Sequence, residues 1–172
     1  MKNCETTDCI APIDLPCRAP RAVIDGGSIL ATVEVAAPPE RVWRALTTNE
    51  VEQWWGSDDT YYINQWAADL RLGGDWNLVV RTGDGKTYPV GGTFLKIDAP
   101  YKLVQTRKYE WNHPTLGRAA TIVTYRLNPI DGGTRVTVRH DGFAGRADAA
   151  KEHALDWERF LCWLEACLRS EI

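Results

Sequence analysis

The stretch DAAKEHALDWERFLCWLEACLRSE at residues 148–171 decides the fold. Its large apolar and aromatic side chains recur at three- and four-residue spacing, at His153, Trp157, Phe160, Leu161, Leu164 and Leu168. This spacing predicts a long amphipathic helix with one buried face. Such a helix needs a partner surface, so the preceding sequence must supply a layer for it to cover.

The sequence before that helix predicts a meandering antiparallel sheet. Alternating side chains between glycine- and proline-containing turns predict strands at residues 29–35, 61–70, 76–81, 86–97, 101–111, 119–127 and 134–140. Pro38 and Pro39 end the first strand, and the apolar spacing from Val42 to Trp55 predicts one or two short helices there. The predicted fold class is therefore α+β, with two short helices after strand one and a long helix at the C-terminus.

Residues 1–27 show no periodicity and contain Cys4, Cys9 and Cys17. We expect an extended or disordered leader that is dispensable for folding, followed by one domain over residues 28–172. The cysteine spacing lacks the C-x2-C pair typical of a zinc site, although a metal or redox role remains an alternative. The N-terminus has no apolar segment of the signal-peptide type, and the odd cysteine count favours reduced thiols, so a cytoplasmic location is expected.

Composition excludes several function classes. The 172 residues are 44% hydrophobic and 25% charged, which is typical of a globular protein. A net charge of -3 does not favour nucleic-acid binding, and no apolar run is long enough to cross a membrane. Eight tryptophans and six tyrosines are unusual, and they indicate either an aromatic core or a pocket walled by rings.

Several segments, taken in order, resemble one known family. They include VAAPPERVW at residues 35–43, WWG at 54–56, DLRLGG at 69–74, DGKTYPV at 84–90 and GTRVTVRHDGF at 133–143. From about Ile29 to Leu168 the chain resembles the single-domain relatives of the Hsp90 ATPase activator C-terminal domain (AHSA1-like), in the START-like (SRPBCC) helix-grip superfamily.

The resemblance implies a curved antiparallel sheet that grips the C-terminal helix, with a cavity between them for an apolar or amphipathic small molecule. Members of the superfamily bind lipids and hormones or cyclise polyketides. Stimulation of Hsp90 is not expected, because the chain lacks room for the other domain of that cochaperone. A homodimer is left open.

Arg107 is the most informative polar candidate. On the strand at residues 101–111, Leu103, Gln105, Arg107, Tyr109 and Trp111 share the face expected to point inward. The guanidinium could lie wet at a cavity mouth, pair with a carboxylate such as Asp156 or Glu158, or contact a ligand. In the last case we expect the ligand to carry an acidic or strongly hydrogen-bond-accepting end.

His140 alternates with Val136 and Val138, so it too is expected to point inward. It could be a hydrogen-bonded core group or an acid–base group of a pocket. The candidate cavity residues, each of which could equally belong to a plain aromatic core, are Trp54, Trp55, Trp76, Gln105, Arg107, Tyr109, Tyr125, His140, Trp157 and Phe160.

Three functions are compatible with the sequence. The first is a small-molecule binding protein, and the second is a small enzyme of the cyclase, dehydratase or hydrolase type that uses the same pocket. The third is a stress- or chaperone-associated interaction module. No nucleophile elbow, phosphate loop, dinucleotide fingerprint or zinc pair is present, so no catalytic residue, metal or cofactor is predicted.

Overall fold

The computed structural model describes residues 19–170. One antiparallel sheet of eight strands has the order β1-β2-β8-β7-β6-β5-β4-β3. Its strands are β1 (Arg21–Asp25), β2 (Ser28–Val35), β3 (Tyr61–Ala68), β4 (Asp75–Thr82), β5 (Thr87–Asp98), β6 (Lys102–Tyr109), β7 (Thr121–Ile130) and β8 (Gly133–Asp141). The helices are α1 (Pro39–Thr47), α2 (Val51–Trp54) and α3 (Ala147–Arg169). This architecture confirms the predicted α+β fold class.

The core lies between one face of the sheet and α3. On β2 the alternate residues Ile29, Ala31, Val33 and Val35 are buried, as the period of two predicts. On α3 the apolar stripe of Trp157, Phe160, Leu161, Leu164 and Leu168 is buried against them. No helix within residues 19–170 is long and apolar enough to span a membrane.

The predicted leader, residues 1–27, is too long, because its last residues belong to the sheet. Residues 21–25 form β1, which pairs with β2 through contacts such as Val23 opposite Leu30. Gly26 adopts a positive φ of 58° in the turn between them, so Gly26 and Gly27 close a hairpin. The backbone N–H of Ala22 also donates to Glu158 on α3 at 3.0 Å. Residues 1–18, with all three N-terminal cysteines, lie outside the described residues.

The β1 strand changes the expected result of a truncation. Removing residues 1–27 exposes the edge of β2 and removes the N–H donor of Glu158, at a cost of about 2 kcal/mol. The melting temperature is then expected to be about 4–8 °C lower than that of a protein lacking only residues 1–18. Equal melting temperatures in differential scanning calorimetry would show that β1 contributes no stability.

Candidate functional site

A cavity of about 160 Å³ lies between the sheet and α3. Every layer of the fold contributes to its wall, and most of the lining side chains are aromatic. The lining residues are Trp55, Tyr61, Val80, Tyr88, Arg107, Tyr109, Trp111, His113, His140, His153, Asp156, Trp157 and Phe160. The rings of Trp55, Trp157 and Phe160 meet edge to face, which fixes this part of the wall.

Arg107 reaches the cavity because β6 alternates as the sequence predicts. Its same-face neighbours Gln105 and Tyr109 are buried. The guanidinium carbon lies 5.7 Å from the ring centroid of Trp55 and 5.5 Å from that of Tyr109. These distances are short enough for cation–π attraction, so two rings hold the guanidinium in place.

Arg107 has no carboxylate partner among residues 19–170. Asp156 forms an ion pair with Arg159 at 3.7 Å, and Glu158 accepts the N–H of Ala22. The Nε atom of Arg107 is buried without any acceptor. Burial acts to lower the pKa of Arg107, but neighbouring tyrosines, chiefly Tyr109, outweigh it and raise the pKa. The cavity therefore contains a permanent positive charge with no carboxylate in salt-bridge contact among residues 19–170, although Asp156 in the same cavity wall interacts with it electrostatically.

His140 is the centre of a directed chain of hydrogen bonds. The indole N–H of Trp157 donates to Nδ1 of His140 at 3.0 Å. The proton of the imidazole must then be on Nε2, which donates to the hydroxyl of Thr121 at 2.7 Å. That hydroxyl donates in turn to the backbone carbonyl of Arg107 at 3.2 Å.

These hydrogen bonds favour the role of His140 as a core group over a role as an acid–base group. Because both ring nitrogens are engaged, the imidazole has neither a free lone pair nor a free proton for a ligand. Burial lowers the pKa of His140 well below its usual value, and the charge of Arg107 lowers it further. His140 is thus a neutral core group, and it ties the backbone of Arg107 to α3.

A second histidine, His153, is hydrogen-bonded to Tyr109 beside Arg107. Nδ1 of His153 is 2.8 Å from the carbonyl oxygen of Ala149, which can only accept, so Nδ1 carries the proton. Nε2 of His153 therefore accepts from the phenol of Tyr109 at 2.9 Å. Burial, with the charge of Arg107, lowers the pKa of His153 to about 4. At neutral pH the imidazole is uncharged.

The connection after β6 closes one side of the cavity. The ring of His113 stacks on Tyr109 with a centroid distance of 4.1 Å and an interplanar angle of 16°. Thr115 in the same loop donates to Glu152 on α3 at 2.6 Å, which fastens the loop to the helix. Burial lowers the pKa of His113 as well. The indole N–H of Trp111 is buried and has no acceptor.

The structure brings six of the ten candidate residues together around the cavity, namely Trp55, Arg107, Tyr109, His140, Trp157 and Phe160. The other four are buried but do not line it. Trp54 packs behind the wall and donates to the carbonyl of Ala45, and Tyr125 lies behind Trp157. Trp76 donates to the carbonyl of Thr106 on the sheet, and Gln105 is a buried neighbour of Arg107.

Seven lining residues were not among the candidates. They are Tyr61, Val80, Tyr88, Trp111, His113, His153 and Asp156. Strand alternation already placed Trp111 on the inward face. On the helix, His153 and Asp156 could have been expected either at the pocket entrance or at solvated positions, and the structure places both in the cavity wall. His113 belongs to a loop, where no periodicity predicts direction. The side chain of Asp156 is 45% exposed, and partial burial raises its pKa although the charges of Arg107 and Arg159 act to lower it.

Comparison with known proteins agrees with this architecture. A Rhodobacter sphaeroides protein of known structure superposes with a TM-score of 0.76 at 22% identity, over 89% of this chain and 99% of that one. A Chromobacterium violaceum protein superposes with a TM-score of 0.72 at 23% identity, over 83% of this chain and 96% of that one. The AHSA1 protein from Silicibacter pomeroyi superposes with a TM-score of 0.70 at 24% identity, over 84% of this chain and 99% of that one. At these identities the likeness shows the fold alone.

No curated protein matches the chain significantly. The family model of the activator of Hsp90 ATPase homolog 1-like proteins, in contrast, matches residues 36–169. That match covers most of the chain and includes every lining residue of the cavity. The chain belongs to this family, the AHSA1-like proteins of the SRPBCC superfamily.

Proposed function

We propose that this protein binds a small aromatic carboxylate in the cavity between the sheet and α3. One observation carries the proposal: Arg107 contributes a positive charge to a ring-lined cavity and has no carboxylate partner among residues 19–170. The fold of the family is consistent with ligand binding.

The cavity volume limits the size of the ligand. About 160 Å³ is close to the ~150 Å³ of an engineered apolar cavity that binds benzene. A single ring with a short polar group suits this volume, whereas a long-chain lipid does not. The edge-to-face rings of Trp55, Trp157 and Phe160 offer the apolar surface for such a ring.

The charge of Arg107 determines which polar group the ligand should carry. A guanidinium stays protonated at neutral pH and presents its donors in a planar fork that matches a carboxylate. Trp55 and Tyr109 hold that fork before any ligand arrives, so little side-chain entropy is lost on binding. The three histidines around it are neutral and do not supply a competing cation.

Thermal-shift measurements with benzoate and its uncharged analogue benzyl alcohol test this function. At 100 times its dissociation constant, benzoate should stabilise the wild type by about 2.7 kcal/mol, or about 5–10 °C for this size. Arg107→Leu should lose most of this stabilisation, because the carboxylate then has no cation, while benzyl alcohol should act similarly on both proteins.

The matched control is Arg126→Leu, which makes the same substitution on an exposed position of β7. It should respond to benzoate as the wild type does. If benzoate stabilises Arg107→Leu as strongly as the wild type, Arg107 does not bind the carboxylate and the proposal is wrong.

A further inference from the structure

Tyr109 and His153 form a pair whose proton positions are determined. The phenol donates to Nε2 of His153, and the backbone carbonyl of Ala149 holds the other imidazole proton on Nδ1. A reactive O–H group, a base within hydrogen-bond distance and a third group that orients the base are the parts of an activated acid–base site. Both side chains line the cavity beside Arg107.

We propose that the cavity catalyses keto–enol tautomerisation of a small aryl 2-oxo acid, with Tyr109 as the catalytic residue and His153 acting through it. This activity rests on the proposed carboxylate site at Arg107. The 2-oxo acid combines the aromatic ring, the carboxylate and an acidic C–H bond next to a carbonyl in one molecule of suitable size.

The proton transfers balance without a cofactor or co-reactant. The Oη atom of Tyr109 takes a proton from the carbon beside the carbonyl, while its own proton passes to Nε2 of His153. The C–H bond breaks, its electron pair forms the enolate, and His153 becomes an imidazolium. The imidazolium returns its proton through Tyr109 to the enolate oxygen, so the only net change is the movement of one hydrogen from carbon to oxygen.

Arg107 stabilises the charge that develops in this reaction. Its guanidinium has several N–H donors, so it can bind the carboxylate and the neighbouring 2-oxo oxygen together. That oxygen gains negative charge as the enolate forms. A fixed cation in an aromatic cavity stabilises the enolate more than the ketone, and this difference is what accelerates a reaction.

Several other titratable groups surround the pair, and three of them have their polar atoms engaged elsewhere. His140 has both nitrogens engaged, and Nδ1 of His113 faces the backbone N–H groups of its own loop. Tyr61 accepts from Trp55. Asp156 on α3 and Tyr88 on β5 also line the cavity, while Glu152 lies near His153 and is bonded to Thr115.

Phenylpyruvate in D2O provides the test, because exchange of its C3 protons can be followed by NMR at low buffer concentration. Wild-type protein should accelerate the exchange above the buffer rate, and benzoate should inhibit the acceleration. Tyr109→Phe should reduce it at least 100-fold, since positioned proton transfer contributes about 10²–10⁴-fold.

His153→Gln is the decisive variant, because glutamine can still accept from Tyr109 but cannot take up the proton. It should lose the exchange activity, and its melting temperature and benzoate affinity are measured alongside to show that the fold and the carboxylate site are retained. In the wild type the activity should fall as the pH is lowered towards 4, where His153 becomes protonated.

Two failures are distinguishable. If benzoate binds at Arg107 but exchange equals the buffer rate, or if His153→Gln exchanges as fast as the wild type, the catalytic proposal is wrong and the binding function stands. If benzoate does not bind, both proposals are wrong.

Discussion

Replacing Trp157 with alanine is expected to lower the free energy of unfolding by about 3–5 kcal/mol, the usual cost of removing a buried tryptophan. Trp157 is only 5% exposed and packs edge to face against Tyr125, His140 and Phe160. Its loss also leaves Nδ1 of His140 without a donor. Denaturant unfolding followed by circular dichroism measures the change.

Trp157→Phe separates packing from hydrogen bonding. It keeps a ring in the wall but removes the indole N–H, so it should cost about 1–3 kcal/mol for the unsatisfied nitrogen of His140. If Trp157→Ala unfolds at the same denaturant concentration as the wild type, α3 does not pack against the sheet through this face.

Gly92→Ala is expected to destabilise the protein by about 3 kcal/mol, because the space above this residue is occupied. The indole of Trp76 lies across Gly92 and donates to the carbonyl of Thr106 at 3.1 Å. A Cβ atom at Gly92 would clash with that carbonyl oxygen and come within 2.7 Å of Nε1 of Trp76. The indole must then move and lose its acceptor.

Gly83→Ala is the matched control, since a Cβ atom at this turn residue would meet no atom within 4 Å. Its free energy of unfolding should stay within about 0.5 kcal/mol of the wild type. Equal effects of the two substitutions would contradict the close approach of Trp76 to β6.

The elements with clear periodicity could be predicted from the sequence. The two-residue alternation on β6 placed Gln105, Arg107 and Tyr109 on the inner face, and the stripe of α3 placed Trp157 and Phe160 under the sheet. These predictions are correct because each element has one buried and one exposed face, and the hydrophobic effect selects between them.

Other features depend on contacts between distant segments. β1 is short and mostly exposed, so its residues carry no burial pattern, and its pairing with β2 shows only in three dimensions. Trp54 and Trp76 are as aromatic as Trp55, and only the fold places Trp55 alone of the three in the cavity wall. The proton position on His140 follows from its contact with Trp157, and the bond from Tyr109 to His153 joins a strand to the last helix, so neither contact is visible in the sequence.

The most direct measurement of carboxylate binding at Arg107 uses the histidines themselves. The chain has three, and all three line the cavity. Burial is the main cause of the lowered pKa values of His113 and His153, and the charge of Arg107 lowers both values further. A carboxylate that neutralises this charge should therefore raise both values, as measured by NMR titration of the imidazole rings with and without benzoate. In Arg107→Leu both values should already be raised and should not respond to benzoate. Unchanged histidine pKa values in wild-type protein saturated with benzoate would contradict binding of the carboxylate at Arg107.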